Sequence, residues 1–445
     1  MPKRKKSEYV ISSLLIGCMF FLLLFGQFLY SQSDYQTIVG SPDANNFSFY
    51  QPCPDTSPYS AVKQTQVRNV ILLIGDGMGL NQTAAARIKA AGLDGKLYME
   101  KMPVTGIMRT HSANNVVTDS AASGTALACG IKTNNKMISM APDGTKYFSI
   151  LEAAKEKKMA TGLVVTSTIT NATPAVFAAH VRHRDWETQI APQMLDNKKV
   201  NVLLGGGRQF FLPITVSGGK RRDSRDLIAE AKQAGYSYIE RKDQLINAKG
   251  PFVLGLFQMG NLTTKEPEPS LAELAEKAIE ILDAKPERSF IGNLLNGFFN
   301  IIFFGSLEQD SGFFLMVEGS QIDMACHDYD FNRLVRQTLL FDLAVKKAID
   351  FAIKDKNTLV LVTADHETIG LTINEAKNGN DLELIWAVDK EHRRTTDGHT
   401  GQPVPVFAFG PCAENFTGVY DNTDIPKKIA KLLGITNFPK KLRAQ

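Results

Sequence analysis

The sequence predicts an α/β protein built on a large, mostly parallel sheet, and two observations support this fold class. Short apolar runs recur along the chain, and each ends at a polar or glycine-rich turn that is followed by a helical pattern. Parallel strands and their crossover helices have this pattern. In addition, residues 332–354 carry apolar side chains at close to a 3.6-residue spacing, which predicts a long crossover helix.

Six apolar runs are predicted strands, at residues 69–74, 161–166, 202–204, 313–317, 358–362 and 404–409. In an open parallel sheet, ligands bind where strands end and loops begin, so polar residues that follow these runs are candidate site residues. Asp76, Glu318 and the pair Asp365 and His366 have this position.

A second group of candidate ligands follows the fourth predicted strand and precedes the last one. Asp323 and His327 are four residues apart, so a helical turn would place both side chains on one face, where they could hold one ion. His399 precedes the last predicted strand and could complete that set.

The mixture of Asp and His suits zinc, whereas Glu318 and nearby hydroxyls suit magnesium. Each residue alone has a structural alternative: Asp323 as a helix cap, Asp365 as the polar end of a strand, His399 as a hydrogen-bonded loop residue. Only their joint placement favours a metal site.

The candidate nucleophile is Ser120, in a run of small residues at 117–126 that is polar at its start. Such a run is typical of a helix N-terminus packed closely against a sheet. Ser120 is then either an ordinary N-cap or a nucleophile at a site where free N–H groups bind phosphate and zinc activates the hydroxyl. Spacing alone leaves both interpretations open.

Length, composition and charge limit the number of domains and the classes of partner. With 445 residues, 44% of them hydrophobic, the chain can bury the core of one large domain or two smaller ones. The formal net charge is +4, of which +3 lies within residues 1–32. The nearly neutral remainder gives no electrostatic reason to expect nucleic-acid binding.

Residues 1–32 are basic and then apolar, which predicts a signal peptide or an uncleaved membrane anchor and therefore an exported protein, periplasmic or extracellular. Residues 33–445 are interpreted as one catalytic domain that starts with an irregular lead-in at 35–60. The uncharged, phenylalanine-rich segment 289–305 is interpreted either as a buried element of the core or of a dimer interface, or as a membrane-touching or substrate-covering insertion.

Four cysteines follow the predicted leader without C-x-x-C spacing, so they do not resemble a zinc site. They are Cys53, Cys129, Cys326 and Cys412. An oxidising compartment permits disulfides, but their pairing is left unassigned.

Seven ordered motifs resemble the alkaline phosphatase family from about residue 69 to residue 424. They are IGDGMG at 74–79, TDSAASGTA at 118–126, ATPAVFAAHVRHR at 172–184, LLGGGR at 203–208, VEGSQIDMACH at 317–327, TADHE at 363–367 and DGHTG at 397–401. The resemblance implies a three-layer α/β/α fold, phosphate monoesters as substrates, two zinc ions and one magnesium ion.

Roles are carried over position by position. By resemblance, the first zinc is bound by Asp323, His327 and His399, and the second by Asp76, Asp365 and His366 together with Ser120. The magnesium would take Asp76, Glu318 and Thr173. Arg184 matches the arginine that holds two phosphate oxygens, a task suited to its planar donor fork.

Two positions depart from the family. Asn171 stands where bacterial members carry aspartate and animal members histidine, which puts the identity of the third ion in doubt. Met324 occupies a place where relatives carry a basic residue that contacts phosphate through water. We therefore expect phosphate to be held less tightly and released faster.

The resemblance implies hydrolysis of phosphate monoesters through a phosphoserine intermediate. A phosphodiesterase or sulfatase on the same fold, and a non-catalytic phosphate-binding relative, are the alternatives. Ser120, Arg184 and all six predicted zinc ligands are present, which favours an enzyme. Both a monomer and a homodimer are compatible with the sequence, as is membrane contact through residues 1–32 or 289–305.

Overall fold

The computed structural model describes residues 36–39, 47–63, 66–284, 311–375, 382–388 and 398–442. The predicted leader at 1–32 and the apolar segment 289–305 lie outside the described residues, as does Asp397 of the last motif. Within the described part of the chain, no helix combines the length and apolar character needed to cross a membrane.

A ten-stranded sheet forms the centre of the molecule. In order across the sheet the strands are β15 (Gly418–Asp421), β3 (Val104–Arg109), β14 (Val404–Phe409), β9 (Thr358–Thr363), β2 (Asn69–Gly75), β8 (Phe313–Gly319), β4 (Ala160–Thr168), β5 (Val202–Gly206), β7 (Val253–Leu256) and β6 (Ser237–Ile239). Strand β14 pairs antiparallel with both of its neighbours, and the other pairings are parallel. The predicted mostly parallel sheet is confirmed.

Two small antiparallel sheets accompany the large one. The first contains β1 (Gln36–Val39), β12 (Leu382–Trp386) and β11 (Leu371–Glu375), and the second pairs β10 (Glu367–Thr368) with β13 (His399–Thr400). The interpretation of 35–60 as an irregular lead-in is therefore wrong for β1. Its partner β12 is far away in sequence, so local pattern could not indicate the pairing.

Eleven α-helices are present among the described residues. They are α1 (Leu80–Ala91), α2 (Ser120–Cys129), α3 (Ile150–Glu156), α4 (Ala172–Ala178), α5 (Glu187–Leu195), α6 (Leu227–Gln233), α7 (Lys242–Asn247), α8 (Leu271–Asp283), α9 (Gln321–His327), α10 (Phe331–Asp355) and α11 (Asp424–Leu432). Helix α10 is the crossover helix predicted at 332–354. Its N-cap Asp330 accepts a hydrogen bond from the backbone N–H of Arg333.

Helices cover both faces of the sheet, as the three-layer prediction requires. Helices α8 and α10 pack against each other and against β8, and α1 packs against α10. Helices α3 and α4 also contact β8, but they pack against α2 as a separate group. Strands β2, β8 and β9 lie between these layers and are buried along their whole length, which explains their nearly continuous apolar sequences.

Candidate active site

The candidate ligands meet at one edge of the sheet, where three neighbouring parallel strands end. Asp76 directly follows β2, Glu318 is in the last two residues of β8, and Asp365 and His366 follow β9. Strand β14 runs the opposite way, so it begins at this edge: its Val406 pairs with Thr363 at the end of β9.

The antiparallel direction of β14 explains how a histidine that precedes a strand joins ligands that follow strands. Strand β13, which contains His399, leads into the beginning of β14. Helix α9 starts directly after β8 and brings Asp323 and His327 to the same edge.

The first cluster is formed by Asp323, His366 and His399, whose potential ligand atoms all lie within 4.8 Å of one another. The carboxylate of Asp323 is 3.1 Å from His327 Nε2 and 3.7 Å from His399 Nε2. The rings of His366 and His399 stack with their centroids 3.6 Å apart. The predicted i, i+4 pair and His399 therefore meet at the carboxylate of Asp323.

The second cluster contains Asp76, Asp365 and His366, again within 4.8 Å of one another. His366 Nε2 is 3.5 Å from the Asp76 carboxylate and 3.2 Å from the Asp365 carboxylate. His366 belongs to both clusters, so the two candidate metal sites adjoin. Ser120 Oγ lies 3.2 Å from the same His366 Nε2.

The turn between β2 and α1 brings its backbone against these side chains. Gly77 has φ +69°, and a Cβ there would lie 2.5 Å from Thr368 Oγ1 and 3.0 Å from Asp323 Oδ1. The Gly77 N–H donates to Asp365 Oδ1. This close approach requires glycine.

Ser120 is the first residue of α2 and not its cap. The N-cap is Asp119, whose carboxylate accepts from the backbone N–H of Ala122 at 2.9 Å. The capping alternative for Ser120 is therefore wrong, because Asp119 performs that task. Ser120 is only 2% exposed, and its hydroxyl faces the histidine cluster.

The small residues of α2 allow this helix to lie close to its neighbour. All ten residues from Ser120 to Cys129 are buried. A Cβ at Gly124 would be 3.1 Å from the side chain of Val176 in α4, so a larger residue would push the two helices apart. Close packing of α2 holds the Ser120 hydroxyl in position.

Arg184 lies between two side chains that fix its guanidinium. Its Nη1 is 3.3 Å from Asp119 Oδ2, and its Nη2 donates to Asn171 Oδ1 at 3.2 Å. The same Asn171 oxygen also accepts from the backbone N–H of Ala172 at the start of α4. Asn171 thus caps α4 and holds Arg184, and its amide oxygen accepts both of these hydrogen bonds.

Buried negative charge is concentrated at this site. Burial, followed by the charges of Asp365, Asp323 and Glu318, raises the pKa of Asp76 well above its usual range. Burial also raises the pKa of Asp365 and that of Glu318 to about 7. Although burial acts to raise the pKa of Asp323, the hydrogen bond with His327 and the nearby histidines hold it well below its usual range.

The donor atoms fit metal ions. Three buried carboxylate oxygens, Asp76 Oδ1, Glu318 Oε1 and Asp365 Oδ2, have no hydrogen-bond partner among the described residues. Thr173 Oγ1 is close enough to Glu318 to lower the pKa of that carboxyl, yet it forms no hydrogen bond of good geometry. Buried carboxylate oxygens that accept no hydrogen bond are expensive, and cations at these oxygens would compensate them.

Hydrogen bonds outside the clusters orient the histidines. His399 Nδ1 lies 2.9 Å from the carbonyl oxygen of Thr118, which directs Nε2 towards the site. Thr368 Oγ1 donates to Asp323 Oδ1 at 2.6 Å and is 3.2 Å from His366 Nδ1. This threonine can accept from His366 while it donates to Asp323, so both side chains present their remaining ligand atoms to the site.

Sequence reasoning missed Asp119 and Thr368 as contributors, although both lie beside residues that it singled out. Asp119 precedes Ser120, and Thr368 is two residues after His366. Their position beside these motif residues was the feature of the sequence that could have identified them. The partners they contact, Arg184 and Asp323, are distant in sequence, so only the fold reveals their tasks.

Comparisons with known proteins identify the family of the chain. The family model described as Alkaline phosphatase matches residues 67–384 and 373–435. Alkaline phosphatase 3 of Bacillus subtilis (strain 168) is 34% identical over 447 residues, which cover 83% of this chain and 90% of that protein. The alkaline phosphatase structure from the Antarctic bacterium TAB5 is 32% identical with a TM-score of 0.69, covering 84% of this chain and 99% of that chain. A variant of the TAB5 enzyme with Mg bound, also 32% identical, covers the same shares with a TM-score of 0.67.

A three-layer α/β fold with carboxylate and histidine clusters beside a buried serine defines a class of metal-dependent hydrolases. The chain belongs to the alkaline phosphatase family. It is accordingly an enzyme that hydrolyses phosphate monoesters.

Proposed function

We propose that the enzyme hydrolyses phosphate monoesters through a covalent phosphoserine at Ser120, in a site that holds two zinc ions and one magnesium ion. The observation that carries the proposal is the position of Ser120 Oγ, 3.2 Å from the histidine that belongs to both ligand clusters. A metal ion held by this histidine and the neighbouring carboxylates could also bind the Ser120 hydroxyl and the substrate phosphate.

The first zinc would take Asp323, His327 and His399, and the second would take Asp76, Asp365 and His366 with Ser120. Asp76, Glu318 and Thr173 would hold the magnesium, and the Mg-bound TAB5 variant supports that ion. Bound there, the ions would lower the pKa of coordinated hydroxyl groups and stabilise charge on the entering and leaving oxygens. The unpartnered carboxylate oxygens of this cluster support the assignment.

In the first step Ser120 Oγ attacks phosphorus, the phosphorus–oxygen bond to the alcohol breaks, and a phosphoserine forms. Water then attacks the phosphoserine, which releases inorganic phosphate and restores the Ser120 hydroxyl. The guanidinium of Arg184, held by Asp119 and Asn171, donates to two phosphate oxygens and stabilises the charge that develops on them. The N-terminal N–H groups of α2 add positive potential at the same place.

The test is hydrolysis of p-nitrophenyl phosphate between pH 7 and 10 by protein that lacks residues 1–32. We expect activity that a chelator removes and zinc restores, and that Ser120→Ala reduces by several orders of magnitude. Acid-quenched enzyme should carry phosphate on the peptide that contains Ser120. Full activity of metal-loaded Ser120→Ala would exclude the phosphoserine pathway.

A diester substrate provides the control for specificity. A diester has one charged non-bridging oxygen fewer for the Arg184 fork, so bis(p-nitrophenyl) phosphate should be a much poorer substrate than p-nitrophenyl phosphate. A preference for the diester would contradict the assigned role of Arg184.

We also propose that the protein is exported, because residues 1–32 have the composition of a leader. The mass of the mature N-terminus, measured on protein from the native host, distinguishes a cleaved signal peptide from an anchor. Membrane contact through 1–32 or 289–305 and a homodimer stay predictions, which flotation with vesicles and analytical ultracentrifugation would test.

A further inference from the structure

A groove of about 780 Å³ lies against helix α9. Gln321 and Met324 line one side of it, and both belong to α9, the helix that carries Asp323 and His327. Segment 261–265 and the first turns of α10 supply much of the remaining lining. The helix that presents two candidate ligands to the phosphate site therefore also forms a wall of the groove.

The groove is also connected to the strand end beside Arg184. Asn261 lines the groove, and its Nδ2 is 3.5 Å from Met324 Sδ. Its Oδ1 accepts from the backbone N–H of Thr168, the last residue of β4. The loop that follows β4 contains Asn171, which accepts from Arg184. These contacts connect the wall of the groove to the loop that holds Arg184.

The lining is positively charged. It includes Lys265, Arg333 and Arg336 against the single carboxylate of Asp330 among the described lining residues. Arg333 is paired with Asp328 at 2.6 Å. The other two cations of the lining are Lys265 and Arg336.

Lys265 and Arg336 form no ion pair with any described residue. Arg336 is held in place because it donates to the carbonyl oxygen of Thr264 at 2.9 Å and lies over the ring of Phe49, 5.2 Å from its centroid. Lys265 is exposed. One cation held by its contacts and one exposed cation therefore line a groove large enough for a drug-sized ligand.

We propose that this groove binds the alcohol part of the substrate and favours phosphate monoesters whose alcohol carries a second anionic group, such as another phosphate. The inference rests on the proposed function, since it assigns a place to the part of the substrate that extends away from Ser120 and Arg184. Favourable charge contacts with Lys265 and Arg336 provide the preference.

The experiment compares two substrates that differ by one phosphate group, adenosine 5′-monophosphate and adenosine 3′,5′-bisphosphate, by initial release of inorganic phosphate from full-length, metal-loaded enzyme. The groove variant is Lys265→Gln with Arg336→Gln. The matched control is Arg222→Gln with Lys249→Gln, which removes the same charge from exposed residues outside the groove lining.

We expect wild-type enzyme to have a higher kcat/KM for the bisphosphate than for the monophosphate. The groove variant should lower the ratio of the two values about threefold to tenfold, the range for two partly screened charge contacts. The control should keep the wild-type ratio, and added salt should reduce the preference of the wild type.

Hydrolysis of both nucleotides with the same ratio in wild type and groove variant would overturn the groove proposal and leave the monoesterase assignment intact. An equal fall in the control variant would also overturn it, because net charge would then explain the preference. Failure of the metal-loaded wild type to hydrolyse both nucleotides would overturn the groove proposal. Only if it also failed to hydrolyse p-nitrophenyl phosphate would the proposed function be refuted with it.

Discussion

Replacement of Thr368 by valine tests whether this residue organises both metal clusters. Thr368 is fully buried in β10, opposite His399 of β13. Its hydroxyl donates to Asp323 Oδ1 at 2.6 Å and lies 3.2 Å from His366 Nδ1. Valine has nearly the same shape, so Thr368→Val removes the hydroxyl while the packing stays similar.

The magnitude follows from the charge of the acceptor. A hydrogen bond to a charged group contributes about 1.5–3 kcal/mol. Because about 1.4 kcal/mol corresponds to a tenfold change in an equilibrium constant, zinc affinity should fall about tenfold to a hundredfold. At saturating zinc, kcat should change much less, since Ser120 and Arg184 remain in place.

The assay is competition for zinc between the protein and a chromophoric chelator, together with activity measured at buffered free zinc. Thr338→Val is the matched control: Thr338 is also fully buried, but its hydroxyl donates to the Leu334 carbonyl within α10. It should leave zinc affinity unchanged. If Thr368→Val binds zinc as tightly as the wild type and the control, the positioning role of Thr368 is refuted.

Three further predictions concern the same edge of the sheet. Gly77→Ala should lower the unfolding temperature and the activity, because φ of +69° costs a non-glycine residue about 1–2 kcal/mol and the new methyl would press on Thr368; thermal unfolding and p-nitrophenyl phosphate hydrolysis check this, and wild-type values for both would contradict it. Met324→Lys should strengthen inhibition by inorganic phosphate and slow turnover, because an ammonium group would lie beside the anion; an unchanged inhibition constant would show that position 324 does not sense phosphate. In metal-free protein burial raises the pKa of Asp365 and that of Glu318 to about 7, so these two carboxyls bind more protons in the folded state than in the unfolded state between about pH 4 and about pH 7. The raised pKa of Asp76 adds to this effect, and together the three carboxyls outweigh the lowered pKa values of the buried His366 and His399, which act in the opposite direction. The free energy of unfolding should therefore fall as the pH rises through this window; urea unfolding of chelator-treated protein at several pH values measures it, and a rise with pH would contradict the reasoning.

The sequence predicted most of what depends on local pattern. The apolar runs identified the central strands because strands buried on both faces must be apolar along their length, as β2 and β9 are. The 3.6-residue spacing identified α10 to within a residue at each end. Most candidate ligands were also recognisable, because they directly follow strands or share one turn of helix, and His399 precedes a strand.

Only the tertiary structure decided the relations between distant segments. The antiparallel direction of β14 brings His399 to the ligand edge, and no local feature of its apolar run distinguishes the two directions. The pairing of β1 with β12 was missed because the two strands are far apart in sequence. Asp119 caps α2 and also holds Arg184. The second contact depends on the tertiary fold, because Arg184 is distant in sequence.

The sequence by itself determined which residue types are available for catalysis and which segments form strands and helices, because both follow from side-chain chemistry and short-range periodicity. The structure decided that His366 belongs to both clusters, that Thr368 connects Asp323 to His366, and that a basic groove lies beside them. These are contacts between residues far apart in the chain, and packing of the whole sheet with its two helical layers sets their distances.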